Sequence, residues 1–185
     1  MPDKFIAMIL SLVGMAIMVI SFQMKGKRTL LFFQSVGTLF YLFAYMFAGG
    51  GVAVPLNIVF FIRNFIFMNI DGYKKPIRVL ACALLCLACI AVYIGYVVLT
   101  DLPLSAYLLS ALPIIAGVFG TFAVLNKNVN RLRVLKLGES ACWIAYNLRI
   151  GIAALGGLIG ETLNIISIFV ALIRFSKEKE KDAAQ

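Results

Sequence analysis

Histidine is absent from all 185 residues, which removes histidine general bases, the common zinc sites and zincin chemistry together. Carboxylates are scarce as well, Asp and Glu numbering 8 against 17 Lys and Arg. Asp3, Asp71 and Asp101 fall at predicted helix ends, so an aspartyl dyad inside a membrane is not expected. With no recognisable pairing of nucleophile and base, the chain reads as a protein that is not an enzyme, and an enzyme acting on lipid is disfavoured. The cysteines have no histidine to join them: Cys82, Cys86 and Cys89 share a helical face in one apolar run and Cys142 lies in another, which suits small packing residues. Neither a metal nor a cofactor is expected. The largest deficit is in polar surface. At 63% hydrophobic residues and a mean hydropathy of +1.01, the chain cannot cover a soluble core, and it reads as an integral membrane protein.

Long apolar runs take the place of what is missing. They cover about 5–22, 29–47, 55–68, 79–99, 104–125, 134–150 and 158–175, each near the length a helix needs to cross a bilayer. The first is longer than a secretory h-region and has no small-residue cleavage pattern before Lys25, so it is expected to stay attached. Pro55 falls in the opening turns of the third run, where proline is tolerated. The formal charge of +9 comes from Lys and Arg clustered between the runs, which reads as a topology signal rather than a nucleic-acid patch. Lys25/Lys27/Arg28, Lys74/Lys75/Arg78, Lys127/Arg131/Arg133/Lys136 and Arg174/Lys177/Lys179/Lys181 all fall on one side, which should be cytoplasmic. Seven spans then place the N-terminus outside and the C-terminus inside, with a short solvated tail at 176–185.

Polar residues inside the runs are few. Glu139, Trp143 and Tyr146 stand at i, i+4 and i+7 on one helical face, and Glu161 and Asn164 sit together in the last run. Such side chains cost a few kcal/mol in hydrocarbon unless they find a partner, a cavity or water, which makes them candidates for a functional path. Interhelical hydrogen bonds that merely hold a bundle together use the same residue types. The ends of the chain also echo each other. Gly14 and Gly117, Gln23 and Asn126, and Arg28 and Arg131 share one spacing. At a slightly longer one, Gly49-Gly50 and Leu56-Asn57 map onto Gly156-Gly157 and Leu163-Asn164. Gln34, Thr38 and Tyr41 likewise answer Glu139, Trp143 and Tyr146. The fold expected is all-α and polytopic, with seven transmembrane helices as two parallel three-helix repeats plus a linker helix (3+1+3): a first repeat at 1–70, a loop and linker helix at 71–102, a second repeat at 103–175 and the tail.

The segments Cys142-Trp143-Ile144, Asn147, Gly151, Gly156-Gly157, Glu161 and Ile173-Arg174-Phe175, with Gln34-Ser35 and Ile62-Arg63 in the first half, resemble the bacterial YgjV-type inner-membrane proteins. More distantly, the 3+1+3 layout is similar to the SWEET and PQ-loop transporters, in which an asparagine from the third helix of each triplet faces a central solute site. Asn57 and Asn164 match that pair. The Pro-Gln signature is absent, Phe22-Gln23 and Leu125-Asn126 standing in its places, which counts against a proline hinge and a sugar substrate.

The resemblance and the polar stripes together imply a facilitator for a small polar or zwitterionic solute. Asn57 and Asn164 would hydrogen-bond the solute, Trp143 would stack on its apolar face, and Glu139 or Gln34 would line a cytoplasmic vestibule. Asn64 extends the stripe below Asn57, and Asn147, Tyr41, Tyr146 and Glu161 complete the candidate set. Arg63 is expected to snorkel to the cytoplasmic surface, with a substrate role as the alternative. Arg149 and Glu161, equally far from a turn centred near Leu155, are expected to form an ion pair, with a proton or a cationic solute as the alternative partner for Glu161. The partners expected are the lipid bilayer and the small polar solute, with a homo-oligomer left open and no nucleic acid. The rival reading is a non-transporting membrane scaffold whose polar residues only lock helix packing.

Overall fold

The computed structural model describes residues 2–101, 103–150 and 155–183, and these are helical apart from short connections. The order is α1 (Pro2–Ser21), α2 (Lys27–Ala48), α3 (Ala53–Asn69), a 3-10 turn (Ile70–Gly72), α4 (Lys75–Leu99), α5 (Leu104–Ser110), α6 (Leu112–Leu125), α7 (Val129–Ile150) and α8 (Leu155–Ala183). Six stretches are long and apolar enough to cross a membrane: Asp3–Ser21, Lys27–Ala48, Ala53–Gly72, Lys75–Leu99, Leu104–Leu125 and Leu155–Lys177. The helix that falls short is α7, because Arg131, Arg133, Lys136, Glu139 and Arg149 are spread along its 22 residues.

Local chemistry explains the boundaries. The expected fifth run is two helices, because Pro113 in the first turn of α6 lacks the N–H a continuous helix would use and its ring crowds the preceding turn. The Asn128 side chain accepts hydrogen bonds from the N–H groups of Asn130 and Arg131 at 2.9 and 3.2 Å, so α7 begins at Val129, ahead of the apolar run that announced it. Gly49 ends α2 in the left-handed region at φ 69°, where a side chain would be strained. Gly156 and Gly157 are not turn residues: they lie in the first turn of α8, while 151–154 of the expected turn lie outside the described residues. A Cβ on Gly156 would sit 2.8 Å from the Leu12 backbone nitrogen, and one on Gly157 2.8 Å from Asn147 Nδ2. These glycines let helices approach closely, as small residues do in membranes. The expected tail is the continuation of α8, helical to Ala183.

The helices close into a ring. α1 packs on α2 and α8, α2 on α3, α3 on α6, α6 on α7 and α7 on α8, while α4 lies outside against α6 and α3. The position of α4 shows in its burial, since only Cys82, Leu85 and Cys89 are covered. Phe65, Leu80, Leu84, Leu87 and Ile173 belong to a broad exposed apolar surface, the surface a chain in lipid presents. Inside, one apolar cluster gathers around Tyr41, Tyr45, Leu56, Phe60 and Trp143. A second gathers around Phe22, Leu31, Phe67, Leu132 and Ile168.

Several cations of the positive clusters are structural. Lys27 is buried and pairs with Asp71 at 2.8 Å, tying the start of α2 to the 3-10 turn. Arg133 donates to the carbonyls of Phe22 and Met24 at 3.1 and 2.8 Å and to Asn130 Oδ1 at 2.7 Å. It thereby satisfies acceptors just beyond the end of α1, which has no further turn to satisfy them.

Candidate functional site

Helical spacing aims one stripe from each of five helices into the ring. α2 contributes Thr38, Tyr41 and Tyr45, and α3 contributes Asn57, Phe60 and Arg63. α7 adds Lys136, Glu139, Ser140, Trp143 and Asn147, α8 adds Gly157, Glu161 and Asn164, and Met18 of α1 and Phe22 just after it close the space. Steps of three and four residues keep each set on one face. They enclose a cavity of about 40 Å³, room for about three water molecules.

A three-membered ionic cluster forms one wall. Glu139 Oε2 lies 2.5 Å from Lys136 Nζ and its Oε1 lies 3.4 Å from Arg63 Nη2. Arg63 also donates from Nε to Asn64 Oδ1 at 3.3 Å, and its guanidinium carbon stands 4.6 Å from the centroid of the Phe60 ring. Arg63 and Lys136 are only 2% and 3% exposed, so the expectation that Arg63 snorkels is wrong. Glu139 supplies the counter-charge inside the bundle, and a paired, hydrogen-bonded guanidinium has no need to reach the surface. Gly120 on α6 makes the room: a Cβ there would collide with Arg63 Nη1 and the Glu139 carboxylate.

The asparagines differ in use. Asn57 donates to the Ala53 carbonyl of its own helix at 2.8 Å. Asn164 donates to Glu161 Oε2 at 3.3 Å, and its Oδ1 has no protein partner among the described residues. Asn147 accepts the Tyr45 hydroxyl at 2.6 Å. The Trp143 ring is stacked on Tyr45, centroids 5.7 Å apart, and meets Phe60 and Tyr146 edge-on, so one aromatic face is already covered by protein. Tyr41 Oη has no protein partner among the described residues.

Seven of the ten expected residues therefore share one cavity: Asn57, Asn164, Trp143, Asn147, Glu139, Tyr41 and Glu161. The other three do not line it. Gln34 is fully buried, and neither amide atom has a hydrogen-bond partner among the described residues. Asn64 is occupied by Arg63. Tyr146 donates to the Gly50 carbonyl at 2.8 Å and lines a separate depression with Gly49, Gly51, Tyr96, Ser110 and Arg149. The expected Arg149–Glu161 pair is absent: Arg149 donates to the Ala106 carbonyl at 3.1 Å, and Glu161 turns inward. The symmetry expected of the hairpin fails because α8 already begins at Leu155, where the turn should have been centred.

Lys136, Tyr45, Phe60 and Ser140 are not among the expected site residues, Thr38 is expected only as part of a repeated stripe, and Arg63 lies elsewhere than expected. Lys136 carried a usable signal, standing three residues before Glu139 on the same face, but as one more cation in a basic segment it looked like a topology marker. Tyr45, four residues after Tyr41, continues that stripe by the same rule.

No curated protein and no solved structure matches this chain. Residues 5–179 match the Imp-YgjV family, described as bacterial inner membrane proteins, and a span covering nearly the whole chain places this multi-pass membrane protein in that family.

Proposed function

We propose that this inner-membrane protein is a facilitator for a small polar or zwitterionic solute, which crosses between two three-helix repeats as their shared cavity opens to each face in turn. α1–α2–α3 and α6–α7–α8 have matching neighbours around the ring, and α4 stands outside as a linker would, which supports the repeat reading. One observation carries the functional one. The two triplets converge on a single cavity that holds both Asn57 and Asn164, and Tyr41 Oη, Arg63 Nη1 and Asn164 Oδ1 around it are buried without a protein partner among the described residues. Polar groups that served only to lock helices would be expected to satisfy one another. A cavity this small corresponds to a closed conformation, and a solute needs it widened. The positive clusters favour a cytoplasmic C-terminus and an outer N-terminus. Reporter fusions at Lys25, Lys75 and Lys127 should then read as cytoplasmic and those at Gly50 and Asp101 as external, and a cytoplasmic signal at Gly50 overturns that topology.

The scaffold reading draws on two contacts: Asn57 is bonded within its own helix and Trp143 is stacked on Tyr45. Uptake into proteoliposomes, measured over a panel of radiolabelled neutral amino acids and betaines, separates the two. Transport predicts that Asn57→Ala and Asn164→Ala each abolish uptake at an unchanged folded yield. A scaffold predicts a stability loss of about 1 kcal/mol, the scale of an interhelical hydrogen bond in a membrane. Uptake that persists in both variants, with lowered thermal stability, overturns the transport reading.

A further inference from the structure

The cavity wall carries two basic and two acidic side chains, and they are not shared evenly. Arg63 and Lys136 both contact Glu139, which leaves Glu161 with no cation at ion-pair distance among the described residues. Glu161 is buried, and its carboxylate accepts from the neutral amide of Asn164 at 3.3 Å. The neutral Ser140 hydroxyl of α7 also faces it. α7 presents Lys136 and Glu139, α2 presents Tyr41 and Tyr45, and α3 presents Arg63, while α1 has no ionisable side chain after Lys4. Both cations pair with Glu139, and the hydrogen-bonding neighbours of Glu161 are the neutral Asn164 and Ser140.

We propose that Glu161 is a proton-binding site of the central cavity, neutral while the cavity is closed and releasing its proton as the cavity opens to water. A carboxylate without a counter-ion in a desolvated site favours its protonated form, and water entering the site reverses that preference. Asn164 suits both states. Its Nδ2 donates to the carboxylate, and half a turn of the amide brings Oδ1, now without a protein partner, to accept from the carboxylic acid. On opening, the Glu161 O–H bond breaks, the proton passes to water, and the anion keeps the Asn164 donor. Glu139 is engaged differently, its two oxygens being held by Lys136 and Arg63. Coupling of this proton to solute movement rests on the transport reading; the protonation itself does not.

Infrared spectroscopy of the full chain in liposomes tests it without any solute. At neutral pH the wild type should show the carbonyl stretch of a protonated, desolvated carboxylic acid, lost in Glu161→Gln and shifted in frequency in Glu161→Asp. Absence of the band in the wild type overturns the proposal, as does an unchanged band in Glu161→Gln. Where Glu161→Gln fails to accumulate, Glu161→Asp decides: a shifted band assigns the proton to this residue and an unshifted one assigns it elsewhere. Uptake driven by an imposed pH gradient forms the second arm. A Glu161 band in a protein that moves no solute keeps the proton site and removes the transport reading, whereas uptake without the band keeps transport and removes the proton site.

Discussion

Gln34 on α2 and Glu139 on α7 occupy corresponding stripes in the two halves of the chain, and they are treated in opposite ways. Glu139 holds two cations; Gln34 is fully buried and neither of its amide atoms is bonded. The asparagine pair shows the same asymmetry, Asn57 turned back on its own helix and Asn164 reaching for Glu161. Three of the four charged side chains at the cavity come from the second half, and the first half contributes only Arg63. The two halves of the chain thus line the cavity with a largely neutral wall and a charged one, with Arg63 crossing past Gly120 to join them.

The comparison breaks most severely at Glu139. Glu139→Gln leaves Arg63 and Lys136 buried without a counter-charge, and breaking a buried pair in this way costs about 3–5 kcal/mol. Thermal unfolding in detergent should show a large loss of stability, or no folded protein should accumulate. Replacing Arg63, Lys136 and Glu139 together with methionine should recover most of that loss, since apolar residues of similar volume often match a buried ionic cluster. A triple variant less stable than Glu139→Gln would show that the cluster stabilises the bundle beyond mutual neutralisation.

A smaller effect is expected where one neutral bond joins the halves. Tyr45→Phe removes the 2.6 Å bond to Asn147 and should lower stability by about 1 kcal/mol, measured by the same unfolding assay. No change would mean that Asn147 finds another donor. The smallest effect belongs to Gln34. Gln34→Met removes polar atoms that make no bond and keeps the volume, so stability should stay within about 1 kcal/mol of the wild type, with an increase favoured. A large loss would show that the Gln34 amide has a partner in the membrane-embedded protein.

Much of the scaffold was legible because it depends on local composition. The apolar runs located the helices, although α7 starts at Val129 and α8 at Leu155, where a capping asparagine and two packing glycines outweighed the hydropathy pattern. The stripe Glu139, Trp143 and Tyr146 does lie on one helical face, yet Tyr146 sits too near the C-terminal end of α7 to reach the cavity and bonds Gly50 instead. Arg63 and Arg149 were misread for a common reason. Each was placed by its depth along a single helix, whereas its partner was chosen by which neighbour the helix faces: Glu139 for Arg63 and the Ala106 carbonyl for Arg149.

By itself the sequence determined that this chain lives in a membrane as a set of helices, which residues share a helical face, and which family it belongs to. Hydropathy and helical period are properties of neighbours along the chain, so they need no fold to be read. The tertiary structure alone decided that Lys136 and Arg63 converge on one carboxylate, that neither stands at ion-pair distance from Glu161, and that Gln34 faces no partner among the described residues. Those outcomes depend on the rotation of each helix about its axis, and in lipid that rotation is set by close packing at residues such as Gly120, Gly156 and Gly157, because hydrophobicity does not distinguish a neighbouring helix from the bilayer.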